Sequence, residues 1–155
     1  MTPPVVGERA ARFVAAAREL VGVPYRHAGR NKHGVDCGGV IILAARRAGL
    51  IPADWDVLPY STIIDVDMIL AGLREWCEPV ERPGEPEAGD ILLMRILRRD
   101  QHLAVATGEG SIIHCYTAAG RVVEHPLTGH WRQAIVGIWR WRQRRAGGGG
   151  AAWRR

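Results

Sequence analysis

Long apolar runs are missing from this sequence. The longest extends from Val40 to Ala45, whereas a helix needs about 20 apolar residues to cross a bilayer, so we predict no membrane span. The segment from Met1 to Arg9 also lacks the basic stretch and the apolar core of a secretory signal. We therefore expect the chain to be made in the cytoplasm without a signal peptide.

Lysine is almost absent. Lys32 is the only lysine among the 21 lysine and arginine residues, so the net charge of +5 rests on arginine. This charge favours an anionic partner through non-specific attraction. A GC-rich genome, which favours arginine, alanine and glycine codons, explains the same composition, and we give that explanation more weight. The sequence predicts no specific nucleic-acid binding.

Cysteine is scarce as well, since Cys37, Cys77 and Cys115 are an odd number at wide spacing. The spacing disfavours a disulfide framework, and no Cys-x-x-Cys pair suggests a structural zinc site or a redox motif. We expect neither a metal nor another cofactor. Each cysteine is then a free thiol, either a small buried hydrophobe or a reactive group.

The 155 residues that are present, 47% of them hydrophobic, suit one globular domain with an adequate core. We place this domain at residues 1–145 and a flexible Gly/Arg-rich tail at residues 146–155. The tail is too small and too rich in glycine to order itself. A docking role for Trp153 and the two terminal arginines is the alternative.

Helical patterns come first along the chain and strand patterns second. Apolar periodicity predicts helices over residues 7–21, over a segment that follows Asp36-Cys37-Gly38-Gly39 and stops at Gly49, and more weakly over residues 63–76. A polar loop at residues 29–34 precedes the second helix. After an irregular segment at 81–86, the predicted strands are residues 90–97, 102–107, 111–116, 121–125 and 135–141. This order predicts an α+β domain, with helices packed on a C-terminal antiparallel sheet.

Cys37 is the best placed of the three thiols for chemistry. It precedes a predicted helix, and the N-terminus of a helix stabilises negative charge on a thiolate. Gly38 and Gly39 leave room for a substrate carbonyl, whose oxyanion the N–H groups there could bind. A cysteine packed in the core is the alternative, and it is favoured for Cys37 taken alone.

Two histidines favour a reactive Cys37 over a cysteine packed in the core. If residues 108–110 form a three-residue hairpin loop, Ala104 lies opposite His114 and His102 is diagonal to His114 on the same face. Diagonal neighbours lie about 7–8 Å apart at the backbone, so the two imidazoles can share a hydrogen bond. His102 would be the base and His114 the group that orients it. A loop of two or four residues would separate them.

Five segments that occur in order resemble the NlpC-type cell-wall peptidases. The segments are Pro24-Tyr25, Asp36-Cys37-Gly38-Gly39, Gly89-Asp90-Ile91-Leu92, His102-Leu103-Ala104-Val105 and Gly110-Ser111-Ile112-Ile113-His114. The resemblance spans nearly the whole domain. An early Pro-Tyr-Arg-His and a late His-Cys-Tyr, Val-Val-Glu-His and Trp-Arg series are similar to the branch found in phage tails and gene transfer agents.

This resemblance implies a reduced papain-like fold, with the nucleophile at a helix N-terminus. It also implies hydrolysis of peptidoglycan stem peptides, commonly between D-glutamate and a diamino acid. By position it assigns Cys37 as nucleophile, His102 as base and His114 as the third polar residue.

Three further positions near the thiol are assigned to substrate or oxyanion contacts. The hydroxyl of Tyr25 would orient substrate or stabilise the oxyanion, or else the ring bridges loop and core. Asp36 would bind a substrate amine or cap the helix, and capping is the safer interpretation. Gly38 stands where the family often has serine, and Ala104 where it often has glycine.

The remaining histidines and tryptophans are predicted to be structural. His27, His33, His125 and His130 have no metal-binding spacing, and exposed loop positions explain them. Cys77 and Cys115 are predicted to lie in the core. A series of tryptophans and arginines at residues 131–142 imitates glycan or nucleic-acid stacking, but alternation along an edge strand explains most of it.

The sequence therefore predicts a thiol peptidase carried by a phage-like tail. It would be assembled with tail hub or baseplate proteins in a bacterial cytoplasm and would act on the periplasmic cell wall during delivery. One alternative is a catalytically silent structural tail-tip or adaptor protein on the same fold. Another is a related thiol amidase or acyltransferase, because the same triad serves both reactions.

Overall fold

A computed structural model describes residues 5–61, 65–81 and 84–143. The predicted tail at 146–155 lies outside the described residues. The helices and strands, in chain order, are α1 Val5–Glu19, β1 Arg30–Asn31, β2 Gly34–Val35, α2 Cys37–Arg47, α3 Val66–Trp76, β3 Cys77–Pro79, β4 Ile91–Ile96, β5 Arg99–Ala106, β6 Ser111–Tyr116, β7 Arg121–Pro126, α4 Gly129–Gln133 and β8 Ile135–Trp141. None of the described helices is long and apolar enough to span a bilayer.

A six-stranded antiparallel sheet with the order β3-β8-β4-β5-β6-β7 forms the body of the described fold. Its side chains alternate between the two faces. One face, with Leu93, Val105 and Cys115, packs on helices α1, α2 and α3 in the main core. The other face, with Met94 and Ala104, forms a smaller core that Trp131 of α4 partly covers. The predicted α+β class is confirmed.

Helix α2 is buried on more than one of its faces. Six of its 11 residues are buried, so its apolar sequence is explained by contact on several faces. After the helix ends, Gly49 adopts a positive φ of 74°. The Leu50 N–H then donates to the Ala45 carbonyl at 2.9 Å, which closes the helix end in the manner of a glycine cap.

The predicted helices and strands are confirmed within a few residues where the structure describes them. Two strands, Ser111–Tyr116 and Ile135–Trp141, have the predicted bounds, and residues 63 and 64 of the third predicted helix lie outside the described residues. The small hairpin of β1 and β2 overlaps the predicted polar loop, and neither this hairpin nor β3 nor α4 was predicted. These elements have two to five residues, too few for periodicity to reveal.

The prediction that the tryptophans and arginines of residues 131–142 follow an edge strand was wrong. Trp131 lies in α4, and β8 pairs with β3 on one side and β4 on the other. Trp139 is buried, and Trp141 packs edge-on against Phe13 with ring centroids 5.2 Å apart. Arg140 forms a bidentate ion pair with the buried Asp90, at 2.8 and 2.9 Å. The series is therefore mostly structural.

Candidate active site

Cys37 is the first residue of α2, and it lies against the start of β5. Its Sγ is 4.0 Å from the carbonyl oxygen of Gln101, and the N–H of Leu103 also interacts with it. The thiol therefore contacts the strand backbone on both sides of His102. Cys37 keeps part of its surface exposed, so a substrate can reach it.

The Asp36 carboxylate fixes the start of α2. Its Oδ1 accepts the Gly39 N–H at 2.8 Å, as a helix N-cap does. Oδ2 accepts the Ala28 N–H at 2.8 Å and the Tyr60 hydroxyl, while Arg30 reaches Oδ1 at 3.2 Å. The carboxylate is 3% exposed, so it is occupied by the protein and is not free to bind a substrate amine. The capping interpretation is confirmed.

Three residues that support Asp36 were missed from the sequence. Arg30 is held by two bonds to Asp56, at 2.9 and 3.1 Å, and donates to the Tyr60 hydroxyl at 3.0 Å. Although burial alone would raise it, these bonds from Arg30 hold the pKa of Asp56 below its ordinary value. Arg30 and Asp56 are 26 residues apart, and no local spacing rule connects them.

The two glycines after Cys37 have different surroundings. A Cβ on Gly38 would lie 3.7 Å from the nearest atoms, an ordinary contact. A Cβ on Gly39 would lie 2.5 Å from the Gly29 carbonyl oxygen, which is too close. Gly39 is thus required for the helix to approach the loop, whereas Gly38 is not required by packing.

We expect Gly39→Ala to destabilise the domain by about 1–3 kcal/mol, because the helix or the loop must shift. Gly38→Ala is the matched control. It should leave the free energy of unfolding unchanged or raise it by up to about 1 kcal/mol, since alanine is the better helix former. Urea unfolding of both variants measures the difference. Equal stabilities would show that the contact with Gly29 is relaxed at little cost.

The hairpin of β5 and β6 brings the predicted histidines together. Val105 pairs with Ile113 and Ala106 with Ile112, and the Thr107 N–H donates to the Ser111 carbonyl at 3.1 Å. This is the register of a three-residue loop, and the prediction is confirmed. His102 Nε2 lies 2.6 Å from His114 Nδ1. Because Nε2 is bonded to His114, Nδ1 is the nitrogen of His102 that remains for a second partner.

His125 extends this pair to a third histidine, so its prediction as an exposed loop residue was wrong. It lies half-buried in β7, and its Nε2 is 2.8 Å from His114 Nε2. His114 pairs with Val123 in the register of β6 and β7, so His125 is again diagonal on the same face. The spacing rule used for His102 and His114 would have found it one strand further on. Trp131 packs edge-on against the His114 ring at 4.9 Å.

Burial makes the resting thiol and imidazole neutral. It raises the pKa of the Cys37 thiol to about 12, helped by the charge of Asp36 and opposed by the N–H groups of Leu103 and Gly38. Burial also lowers the pKa of His102 to about 4. At neutral pH the proton therefore stays on sulfur until a substrate is attacked.

The buried His102 should make stability depend on pH. Its pKa is about 4 in the fold, below its ordinary value of about 6.5, so the unfolded chain binds more protons between these values. Stability from this group is complete above pH 6.5 and decreases as the pH falls toward 4, by up to about 3 kcal/mol. Urea unfolding at pH 7.5, 5.5 and 4.5 measures it. The His102→Gln variant should show a smaller decrease, and an unchanged decrease would contradict the assignment.

Tyr25 lies near the thiol. Burial, followed by the charge of Asp36, raises the pKa of its hydroxyl, so this group is a protonated donor at neutral pH. The ring also packs on the main core. The bridging interpretation of Tyr25 agrees with this packing, and contact of its hydroxyl with substrate or oxyanion stays a prediction.

An apolar cavity of about 80 Å³ lies beside Cys37. Its wall includes Gly38, Trp55, Met68 and Leu103. The cavity extends from the thiol between α2, α3 and the sheet.

The other cysteines and two further histidines have structural positions. Cys77 and Cys115 are each 1% exposed, as predicted. His27 is half-buried, with its Nε2 3.3 Å from the Tyr60 carbonyl oxygen, and His130 lies exposed in α4 rather than in a loop. Among the described residues, no group of His, Cys, Asp and Glu side chains could hold a metal ion.

Sequence comparison assigns the family. The model of the NlpC/P60 family matches residues 22–140. The chain belongs to this family. The matched part contains Cys37 and the three histidines of the hydrogen-bonded series. A search of curated protein sequences found no match.

Solved NlpC/P60 structures share the fold. The peptidoglycan hydrolase RipB of Mycobacterium tuberculosis is 18% identical, with a TM-score of 0.64 over 94% of this chain and 70% of RipB. A family protein from Bacillus cereus is 22% identical, with a TM-score of 0.57 over 85% of this chain and 40% of its own length. The chain thus spans less than half of that longer relative.

A third NlpC/P60 structure shows that the fold alone does not determine activity. RipD of M. tuberculosis, a non-catalytic NlpC/p60 domain protein adapted to peptidoglycan binding, is 20% identical, with a TM-score of 0.56 over 85% of this chain and 95% of RipD. Membership of the NlpC/P60 family therefore does not by itself assign a role to Cys37, His102 or His114.

Proposed function

We propose that this chain is a cysteine peptidase that hydrolyses peptidoglycan stem peptides. One observation supports this most directly. A partly exposed cysteine at a helix N-terminus touches the backbone on both sides of a histidine that a second histidine orients at 2.6 Å. Cys37 is the nucleophile, His102 the base and His114 the orienting residue in this proposal.

The reaction begins as the Cys37 thiol gives its proton to Nδ1 of His102 and the sulfur attacks the peptide carbonyl carbon. The oxyanion forms beside the first N–H groups of α2, where the hydroxyl of Tyr25 adds a donor. His102 then protonates the leaving amine, and a thioester remains on Cys37. Water attacks the thioester and gives its proton to His102, which returns it to the sulfur as the acid product leaves.

The substrate proposal is a stem peptide cut between D-glutamate and a diamino acid. Membership of the NlpC/P60 family supports it, and RipB, which shares the fold, is a peptidoglycan hydrolase. The net charge of +5 suits an anionic wall polymer. Delivery by a phage-like tail, with hub or baseplate proteins as partners, is proposed on the Pro-Tyr-Arg-His and Val-Val-Glu-His segments alone.

Thiol acyltransfer is a second candidate, favoured by the cavity beside Cys37. Its wall is built almost wholly from apolar and aromatic side chains, among them Trp55, Met68 and Leu103. An acyl group fits such a wall better than a charged stem peptide does. The two reactions share the thioester and differ in what resolves it, water or another nucleophile.

Digestion of purified sacculi tests the function. The wild-type protein should release fragments whose masses correspond to cleavage within the stem peptide, with one water added per bond cut. A product carrying a transferred acyl group would favour the second candidate. Absence of any release, with binding to sacculi retained, would contradict the peptidase proposal and favour a structural role.

A further inference from the structure

We infer that His125 is a positioning residue for the proposed peptidase, and that it sets the tautomer of His102 through His114. The inference deepens the proposed function and rests on it. It starts from a series of three hydrogen bonds. His102 Nε2 meets His114 Nδ1 at 2.6 Å, His114 Nε2 meets His125 Nε2 at 2.8 Å, and His125 Nδ1 meets the Pro126 carbonyl oxygen at 2.9 Å.

The last bond fixes the direction of the other two. A carbonyl oxygen only accepts, so Nδ1 of His125 carries the proton in that bond. A neutral imidazole has one donor and one acceptor nitrogen, and Nε2 of His125 is therefore the acceptor. His114 must then donate from its Nε2, which leaves its Nδ1 as an acceptor.

The same donor and acceptor rule applies to the bond between His114 and His102. His102 donates from Nε2 to Nδ1 of His114, so its own Nδ1 has no proton. This is the tautomer that a base for the Cys37 thiol requires. Without an acceptor beyond it, His114 could carry its proton on either nitrogen, and with Nδ1 protonated it would force His102 into the wrong tautomer.

The surroundings keep the three rings in place. Burial, followed by the neighbouring His102 and His125, holds the pKa of His114 well below its ordinary value. His114 therefore stays neutral and keeps one donor and one acceptor nitrogen. Trp131 lies 4.9 Å from the rings of both His114 and His125. An indole that packs against both rings limits their rotation.

Two substitutions of His125 separate this role from simple packing. His125→Gln keeps an acceptor for the Nε2 proton of His114, whereas His125→Leu removes the acceptor and retains an apolar contact with Trp131. We expect kcat/KM for stem-peptide hydrolysis to stay within about threefold of wild type for glutamine. It should fall about 10- to 100-fold for leucine, the range found when supporting hydrogen bonds of a site are removed.

Nitrogen NMR of the imidazole rings gives a readout that does not need activity. In protein with ¹⁵N-labelled histidine, His102 and His114 should be protonated at Nε2 and His125 at Nδ1. His125→Gln should keep the first two states, and His125→Leu should show His102 protonated at Nδ1 in part of the molecules. Urea unfolding shows whether each variant is folded.

The inference is overturned if His102 has the same tautomer in wild type and in the leucine variant, or if both variants lose or both keep their activity. A wild-type protein without hydrolytic activity would contradict the proposed function. In that case the NMR spectra alone would still decide whether His125 sets the tautomer.

Discussion

Cys37→Ala is expected to lower the release of fragments from sacculi by about 10⁴-fold or more, because removing a nucleophile leaves only binding and oxyanion contacts. His102→Gln should cost about 10²- to 10⁴-fold, since the thiol then has no base. Cys115→Ala is the matched control. That thiol is buried and bonded to the Val35 carbonyl, so the variant should keep full activity.

Alkylation gives a second measurement of the same assignment. Cys37 is partly exposed, whereas Cys77 and Cys115 are each 1% exposed. Iodoacetamide should therefore add one label to the folded protein, on the peptide that contains Cys37. Since burial raises the pKa of this thiol to about 12, labelling should be slow at pH 7 and faster at pH 9. Activity that survives complete labelling of Cys37, or survives Cys37→Ala, would exclude it as the nucleophile.

Asp36→Ala is expected to destabilise the domain by about 3 kcal/mol, the lower end of the cost of breaking a buried charged pair. The substitution removes the helix cap, worth about 1 kcal/mol, and leaves buried donors of Ala28 and Arg30 without their acceptor. Arg30 retains its two bonds to Asp56, which limits the loss.

Two variants control the Asp36 experiment. Asp36→Asn keeps an oxygen for the Gly39 N–H and should lose less stability than the alanine variant. Asp54→Ala removes an exposed carboxylate two residues before Asp56 and should change the free energy of unfolding by less than about 0.5 kcal/mol. If Asp36→Ala cost no more than Asp54→Ala, the buried carboxylate would not be what holds the start of α2.

The parts predicted from sequence are those that nearby residues decide. The start of α2 follows from Asp36, whose carboxylate bonds three residues ahead along the chain, and the His102–His114 bond follows from the length of one loop. His125 obeys the same local geometry and was missed because the next hairpin was not considered. The network of Arg30, Asp56 and Tyr60 was not predictable in this way, because no periodicity connects these residues.

The sequence by itself determined the α+β class, the bounds of most of the described helices and strands, and that His102 and His114 share one face of the sheet. Hydrophobic period and turn length fix these features within short stretches of chain. Only the tertiary structure decided that Cys37 lies against the backbone beside His102. The contact is with the carbonyl of Gln101, which is 64 residues further along the chain. Packing of α2 on the sheet makes that contact. The same packing removes water from the Cys37 thiol and raises its pKa, whereas the register of β5, β6 and β7 joins the three histidines.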